Sequence, residues 1–273
     1  MISAFNKILI PVDFTINTEI AVSRAIGLIE QENGEIRLLH VTKPKKSPSA
    51  KFVIWDAEKK LMQWARSIMD TMKGVNVNFI VLSGSSVSQM IIESALRMGP
   101  DLIVVGKQAR MRRWPFSQSV SPDLIARDSN CPVLTAKAGS MNSRTKIIVV
   151  PVRDFVPERK LELAILIAKK CKAKVHLLVI NENFKTDERE QSQTFLRSYH
   201  HLREKLLHPV EYYSISGRNT ARAAMDYAKS VTADMILLNP ETESGIPGLT
   251  GSRHISDLIG NNSKIQVMDI QPY

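Results

Sequence analysis

The chain repeats itself at a fixed spacing. Ser83-Gly84 precede an amphipathic stretch that ends in Pro100-Asp101-Leu102-Ile103-Val104-Val105-Gly106. Ser216-Gly217 precede another, which ends in Ala233-Asp234-Met235-Ile236-Leu237-Leu238-Asn239. The offset is 133 residues, and at that offset Gln118-Ser119 also falls on Gly251-Ser252 and Val133 on Gln266. Near the start of each copy, Ile8-Leu9-Ile10-Pro11-Val12-Asp13 matches Ile148-Val149-Val150-Pro151-Val152-Arg153 at an offset of 140. The second copy is thus seven residues shorter between its first strand and its third helix. Two copies of one domain follow, 1–138 and 144–273, joined by the small, polar stretch Ala138–Ser143. The functional question becomes which copy keeps a site.

Within the first copy, Ile8–Val12, Ile36–Val41, Val75–Leu82, Leu102–Val105 and Pro132–Ala136 read as strands. Several are apolar throughout, as suits parallel strands covered on both faces. Between them lie helical patterns. Val22, Ala25, Ile26 and Ile29 share one face; Leu61, Met62, Ala65, Ile68, Met69 and Met72 share another, with the methionines expected as core filler. Val87, Met90, Ile91, Ser94, Ala95 and Met98 share a third. The second copy repeats the plan with Leu161, Ala164, Ile165 and Ala168, then Ala221, Ala224, Met225 and Ala228. Alternating strands and helices predict an α/β fold of two tandem, doubly wound, parallel five-stranded sheets, and the short linker predicts that they pack side by side. The last strands, Pro132–Ala136 and Ile265–Ile270, are expected to pair, since each otherwise leaves an open sheet edge.

The net charge is +10, shared between the halves rather than gathered in a tail. It permits nucleic acid, acidic lipid or nucleotide phosphate as partners and selects none of them. No run approaches the roughly 20 apolar residues of a membrane helix. The N-terminus runs directly into a strand pattern, so a cytoplasmic protein is expected. Cys131 and Cys171 stand at non-corresponding places and predict neither a disulfide framework nor a metal site. His200-His201, with His208 nearby, lack a ligand-spaced Cys or carboxylate, so no metal is expected there.

A doubly wound sheet binds ligands beyond the C-terminal ends of its strands, where the strand order reverses. In the first copy those ends are Val12-Asp13 and Val105-Gly106. Asp13 is placed to accept hydrogen bonds from a base or ribose. Gly106 opens a loop leading to a helix expected to start near Ser119, whose hydroxyl either caps that helix or touches a phosphate. Arg110-Met111-Arg112-Arg113-Trp114-Pro115-Phe116 interleaves cations with aromatics; packing against the other domain or a partner is the reading preferred over base stacking. Lys43–Pro48 reads as a basic loop, and Ser83–Ser86 and Ser216–Asn219 as caps of the third helices.

Three segments together carry a family resemblance: Ile10-Pro11-Val12-Asp13, Asp101–Gly106, and Ser119-Val120-Ser121 leading to Cys131-Pro132-Val133-Leu134. The chain resembles a tandem universal stress protein of the UspA type, with one domain per copy. The resemblance implies a Rossmann-like, adenine nucleotide alpha hydrolase-like fold, with the two domains packed as a pseudo-dimer, and a stress-response or adaptor role. It also implies an adenine-nucleotide crevice for ATP, with magnesium. ATP-binding members carry Gly-x2-Gly-x9-Gly-[Ser/Thr] after the fourth strand, where glycine lets backbone amides approach phosphate closely. Carried onto this chain, the crevice residues are Asp13, Val41, Gly106, Lys107, Ala109, Ser119 and Val120 in the first copy, and Gly251 and Ser252 in the second. The pattern is broken in both. Ala109 and Gln118 replace the second and third glycines of the first copy. Asn239 and Thr242 replace the first two of the second, and Arg153 stands where the first copy has Asp13. One copy keeps the adenosine end of the motif and the other keeps the phosphate end. Lys107, Arg110, Arg112 and Arg113 either offset the lost glycines by charge or are solvated loop residues.

No nucleophile elbow, Walker-type loop or pyrophosphatase Ser-Gly-Gly-x-Asp-Ser loop occurs. The sequence therefore predicts a non-enzymatic protein with at most slow ATP hydrolysis, binding ATP weakly or not at all. Its expected partners are other proteins and a second copy of the tandem chain. A nucleotide hydrolase and a basic, nucleic-acid-associated protein are the alternatives.

Overall fold

The computed structural model describes residues 4–44, 49–107, 120–141, 144–153, 155–181, 188–217, 219–239, 259 and 263–271. Two compact units emerge, Ala4–Ala136 and the unit containing Lys137–Tyr273.

The N-terminal unit alternates strand and helix: β1 (Lys7–Val12), α1 (Ile16–Leu28), β2 (Gly34–Thr42), α2 (Ser49–Thr71), β3 (Val75–Ser83), α3 (Val87–Met98), β4 (Leu102–Gly106), α4 (Pro122–Ser129) and β5 (Val133–Ala136). Its strands run parallel in the order β3-β2-β1-β4-β5. Alternation along the strands divides the core. Leu9, Leu39, Ile103, Val105 and Val133 pack with Ile91, Ala95 and Ile125 of α3 and α4. The buried faces of α1 and α2, which include Ile20, Ala25, Leu61 and Ala65, cover the opposite side.

The C-terminal unit opens with a short 3-10 turn (Ala138–Ser140), then β6 (Ile147–Val152), α5 (Glu158–Cys171), β7 (Lys174–Asn181), α6 (Glu188–Lys205), β8 (Val210–Ser216), α7 (Thr220–Ser230), β9 (Met235–Leu238) and β10 (Gln266–Asp269). Its order, β10-β9-β6-β7-β8, is that of the first unit reversed as written, with the same parallel pairing. The sequence repeat is therefore a repeat of topology. Ser86 caps α3, accepting from the Gln89 N–H at 3.3 Å, and Asn219 caps α7, accepting from Arg222 at 2.8 Å, as the two Ser-Gly stretches predict.

Two expectations fail. Met62 and Met69, expected in the core, are 41 % and 38 % exposed, while Leu61, Ala65 and Ile68 are buried. An apolar stripe that broad exceeds the arc of α2 facing the sheet. The second concerns the helix expected near Ser119: α4 begins at Pro122 with Ser121 at its N-cap. Proline fits the first helical position because its missing N–H has no partner there in any case.

Polar side chains fasten the C-terminal unit. Glu162 of α5 accepts from His201 Nε2 at 2.7 Å and from the Lys205 ammonium of α6. A carboxylate does meet the histidine run, but a lysine meets it too, so the group is a helix-to-helix staple. Burial alone would push the Glu162 carboxyl up; the bonds from Lys205 and His201 outweigh it and hold the group below the usual range.

On β7, His176 is buried, its Nδ1 lying 2.9 Å from the Tyr227 hydroxyl and its Nε2 3.5 Å from Glu211. Burial pushes its pKa down more strongly than Glu211 raises it. The unfolded chain therefore takes up this proton at a higher pH than the folded chain does, and His176 removes stability as pH falls below about 6.5. His176→Gln is expected to lose less stability than the parent between pH 7.5 and pH 5.5, read as urea midpoints at the two pH values.

Candidate functional site

The candidate crevice of the N-terminal unit forms where β1 and β4 part. These strands pair only at Ile8–Leu102 and Leu9–Ile103, although β1 continues to Val12 and β4 to Gly106. The strand order reverses here, since β1 leads to β2 on one side and β4 to β5 on the other.

Asp13 follows β1 directly, and its setting is dictated by Asp13-Phe14-Thr15-Ile16-Asn17-Thr18. Its Oδ1 accepts from the Thr15 N–H at 3.0 Å, the Thr15 hydroxyl at 2.6 Å and the Thr18 hydroxyl at 2.7 Å. The Asp13 N–H donates to Thr18 Oγ1 at 3.0 Å. An Asp bonding two residues ahead makes a tight turn, and Thr15 then caps α1 by accepting from Asn17. Between them Phe14 takes φ +58°, an unfavourable conformation for a bulky residue, held by the bonds on either side. One carboxylate oxygen is thereby spent on the turn. Oδ2 takes no hydrogen bond among the described residues, and Asp13 is exposed.

Gly106 closes the other side. A Cβ built on it would lie 1.8 Å from the Asn17 carbonyl oxygen, so the first turn of α1 rests directly on the end of β4. This glycine is required by packing, whatever the crevice holds. Val41 and Val120 are half-buried at the rim of the apolar cluster under α3 and α4. Lys107 is buried, and its N–H donates to the Ala136 carbonyl at 3.1 Å, continuing the β4–β5 ladder. Of its two readings, burial removes that of a solvated loop residue. The N-cap reading of Ser119 is also corrected, because Ser121 holds that place. Ser121 donates its hydroxyl to Asp123 and its N–H to Ser88 Oγ, tying α4 to the first turn of α3. Ala109, Ser119, Gly251 and Ser252 lie outside the described residues, as does the stretch Arg110–Phe116.

Sequence reasoning missed Thr15, Thr18 and His40. The Asp-x-Thr-x-x-Thr spacing signals the first two. His40 Nδ1 sits 2.7 Å from the Val12 carbonyl oxygen, so that nitrogen carries a proton and donates. Its ring lies 4.6 Å from that of Phe14, bracing the turn that presents Asp13.

The corresponding place in the C-terminal unit is built differently. β6 and β9 part in the same manner, pairing only at Ile148–Met235 and Val149–Ile236. Arg153, Phe155 and Glu158 occupy the positions of Asp13, Thr15 and Thr18, so the hydrogen-bonded turn cannot form. Pro157 replaces Asn17, and α5 starts at Glu158, two residues later than α1 does in register. Asn239, at the position of Gly106, has its side chain buried.

Residues 4–137 match the model of the universal stress protein family. No curated protein matches the chain significantly. Among solved structures, a universal stress protein from Archaeoglobus fulgidus DSM 4304 aligns over 98 % of this chain and 99 % of its own, at 17 % identity and a TM-score of 0.69. A protein of unknown function from Pseudomonas aeruginosa PAO1 aligns over 99 % of this chain and 94 % of its own, at 19 % identity and a TM-score of 0.59. The cytoplasmic domain of a prokaryotic cation chloride cotransporter covers 97 % and 95 %, at 13 % identity and a TM-score of 0.56. At these identities the structures speak for the fold alone, and they do so across both halves of the chain. Among the described residues no helix is long and apolar enough to cross a membrane. The N-terminal half of the chain, residues 4–137, is thus a universal stress protein domain, and the α/β architecture that the solved structures share runs along the whole length.

Proposed function

We propose that this is a stress-response or adaptor protein with two universal stress domains, 1–138 and 144–273, of which the N-terminal one alone retains a degenerate adenine-nucleotide crevice. The match of residues 4–137 to the family model supports the stress-response role. The observation that carries the rest is the asymmetry at the two strand ends. The N-terminal unit presents Asp13 with one carboxylate oxygen open. The C-terminal unit has Arg153 for the acid and a buried Asn239 for the glycine.

A carboxylate in that place accepts from ribose hydroxyls or an adenine amine, so the adenosine end is provided for. Ala109 and Gln118 in place of glycine, together with a buried Lys107, leave the phosphate end poorly served. Binding is therefore weak, and its role is to bias contacts with protein partners rather than to drive turnover.

Titration calorimetry of the full chain with ATP and magnesium tests this. The expected result is one saturable site per chain in the millimolar range, lost in Asp13→Ala. Micromolar affinity, no saturable binding, or binding indifferent to Asp13 overturns the proposal.

A further inference from the structure

α1 and α2 cover one face of the N-terminal sheet without filling the space between them. The groove they leave encloses about 350 Å³. On α1 it is lined by Glu19, Val22, Ser23 and Ile26, which share one helical face through their three-and-four spacing. On α2 it is lined by Trp64, Ser67 and Ile68. The sequence sets Val22 and Ile26 on one apolar face with Ala25 and Ile29. Ala25 and Ile29 are buried, whereas Val22 and Ile26 are only half-buried because they border the groove.

Size and chemistry both match a small-molecule site, which holds a few hundred Å³ within apolar and aromatic walls and carries few polar groups. The Trp64 wall is fixed in advance. Its ring meets Phe14 edge-on at 6.2 Å, and Phe14 lies 4.6 Å from the His40 ring. A wall already in place lowers the cost of binding.

The polar lining consists of two hydroxyls, Ser23 and Ser67, and one carboxylate, Glu19. Glu19 makes no ion pair or hydrogen bond among the described residues. Lys60, one turn before Trp64, is paired with Asp56 at 2.6 Å, and its ammonium stands 5.6 Å from the centre of the Phe14 ring. Arg24 stands roughly 140° round α1 from Glu19, with its Nε buried. The groove therefore carries one uncompensated negative charge in a chain of net charge +10.

We propose that this groove is a binding site for a small organic amine with a flat apolar body. The body packs among Val22, Ile26 and the Trp64 indole, and the ammonium meets Glu19. An indole wall adds its own attraction for a cation. An anion of the same shape meets Glu19 with like charge, so a nucleotide is disfavoured here. The site is separate from the crevice at Asp13, none of whose residues lines the groove.

Amide chemical shifts of the labelled full chain, titrated with tryptamine, test this. The expected result is saturable shifts at Val22, Ser23, Ile26 and Ser67. Affinity should fall at least threefold in Glu19→Gln and vanish in Ser67→Trp, which fills the groove, while Asp13→Ala leaves it unchanged. Glu19 and Ser67 are both exposed, so folding is preserved, and far-ultraviolet dichroism checks it. Absence of saturable shifts overturns the proposal, as does affinity unchanged in Glu19→Gln. Indole-3-propionate, which reverses the charge, or butylamine, which lacks the ring, binding as tightly as tryptamine also overturns it. Shifts centred on Asp13–Asn17 and lost in Asp13→Ala overturn it in favour of the nucleotide crevice.

Discussion

Asp234→Ala is expected to lower the stability of the chain by about 3 kcal/mol, among the largest effects of any single polar substitution here. Asp234 is 2 % exposed and stands just before β9. Its Oδ2 accepts from the Lys146 N–H at 2.8 Å and the Ile147 N–H at 3.0 Å, at the start of β6. Its Oδ1 lies 3.2 Å from the Lys264 ammonium. Its own backbone donates to Ile147 and accepts from Gln266, so one residue joins the leading ends of β6, β9 and β10. Alanine strands two backbone donors and leaves Lys264 without this carboxylate.

The repeat supplies a graded control. Asp101, 133 residues earlier, accepts from Asn6 and Lys7 in the same manner, at 2.8 Å each. It is only half-buried, so Asp101→Ala should cost roughly half as much, because water can serve the freed donors. Urea midpoints with unchanged slopes read both effects. Equal effects at the two sites would show that burial does not set the cost.

Gly106→Ala is expected to be at least as damaging, at about 3 kcal/mol, and to disorder the turn that holds Asp13. The added methyl meets the Asn17 carbonyl oxygen at 1.8 Å and its carbonyl carbon at 2.4 Å. Both atoms are backbone, so no rotamer change relieves the clash, and α1 must shift as a body. Overpacking of this kind commonly costs about 1–3 kcal/mol, and a rigid neighbour puts it at the upper end. Because Thr15 and Thr18 ride on the first turn of α1, the shift also breaks the bonds to Asp13. Gly27 in the same helix is the matched control: a Cβ there meets nothing within 4 Å. Gly27→Ala should stabilise by about 0.5–1 kcal/mol, through helix propensity and a less flexible unfolded chain. A tolerated Gly106→Ala, with a midpoint like that of Gly27→Ala, would show that α1 is not seated on β4.

The strands were legible because buried parallel strands are apolar on both faces, as Leu102–Val105 and Ile148–Val150 are. The repeat made the topology readable twice, and the strand ends where the order reverses were placed from it; the two-residue pairings at the parting strands came from the structure. Met62 and Met69 misled because periodicity gives a face without saying how wide an arc of it the sheet covers. The role of Asp101 and Asp234 was invisible, although both were landmarks of the repeat. Their bonds run to backbone donors about 90 residues away, which no local pattern encodes. At the site, Asp13 and Gly106 could be picked out, but the reason for each could not. Gly106 is required by a carbonyl of α1, and Asp13 is held by hydroxyls that read as ordinary helix-start residues. The C-terminal site differs through Arg153 and Pro157 at one strand end and the buried Asn239 at the other, residues far apart in sequence that only the fold relates.

The central claim is that one unit of the two holds nucleotide. Amide chemical shifts of the labelled full chain, followed through a titration with ATP and magnesium to millimolar concentration, test it most directly. The account predicts saturable shifts at Asp13–Asn17, Val41 and Gly106, with Phe155–Glu158 and Asn239 unmoved. Shifts centred on Phe155–Glu158 and Asn239, or none at either strand end, would contradict it.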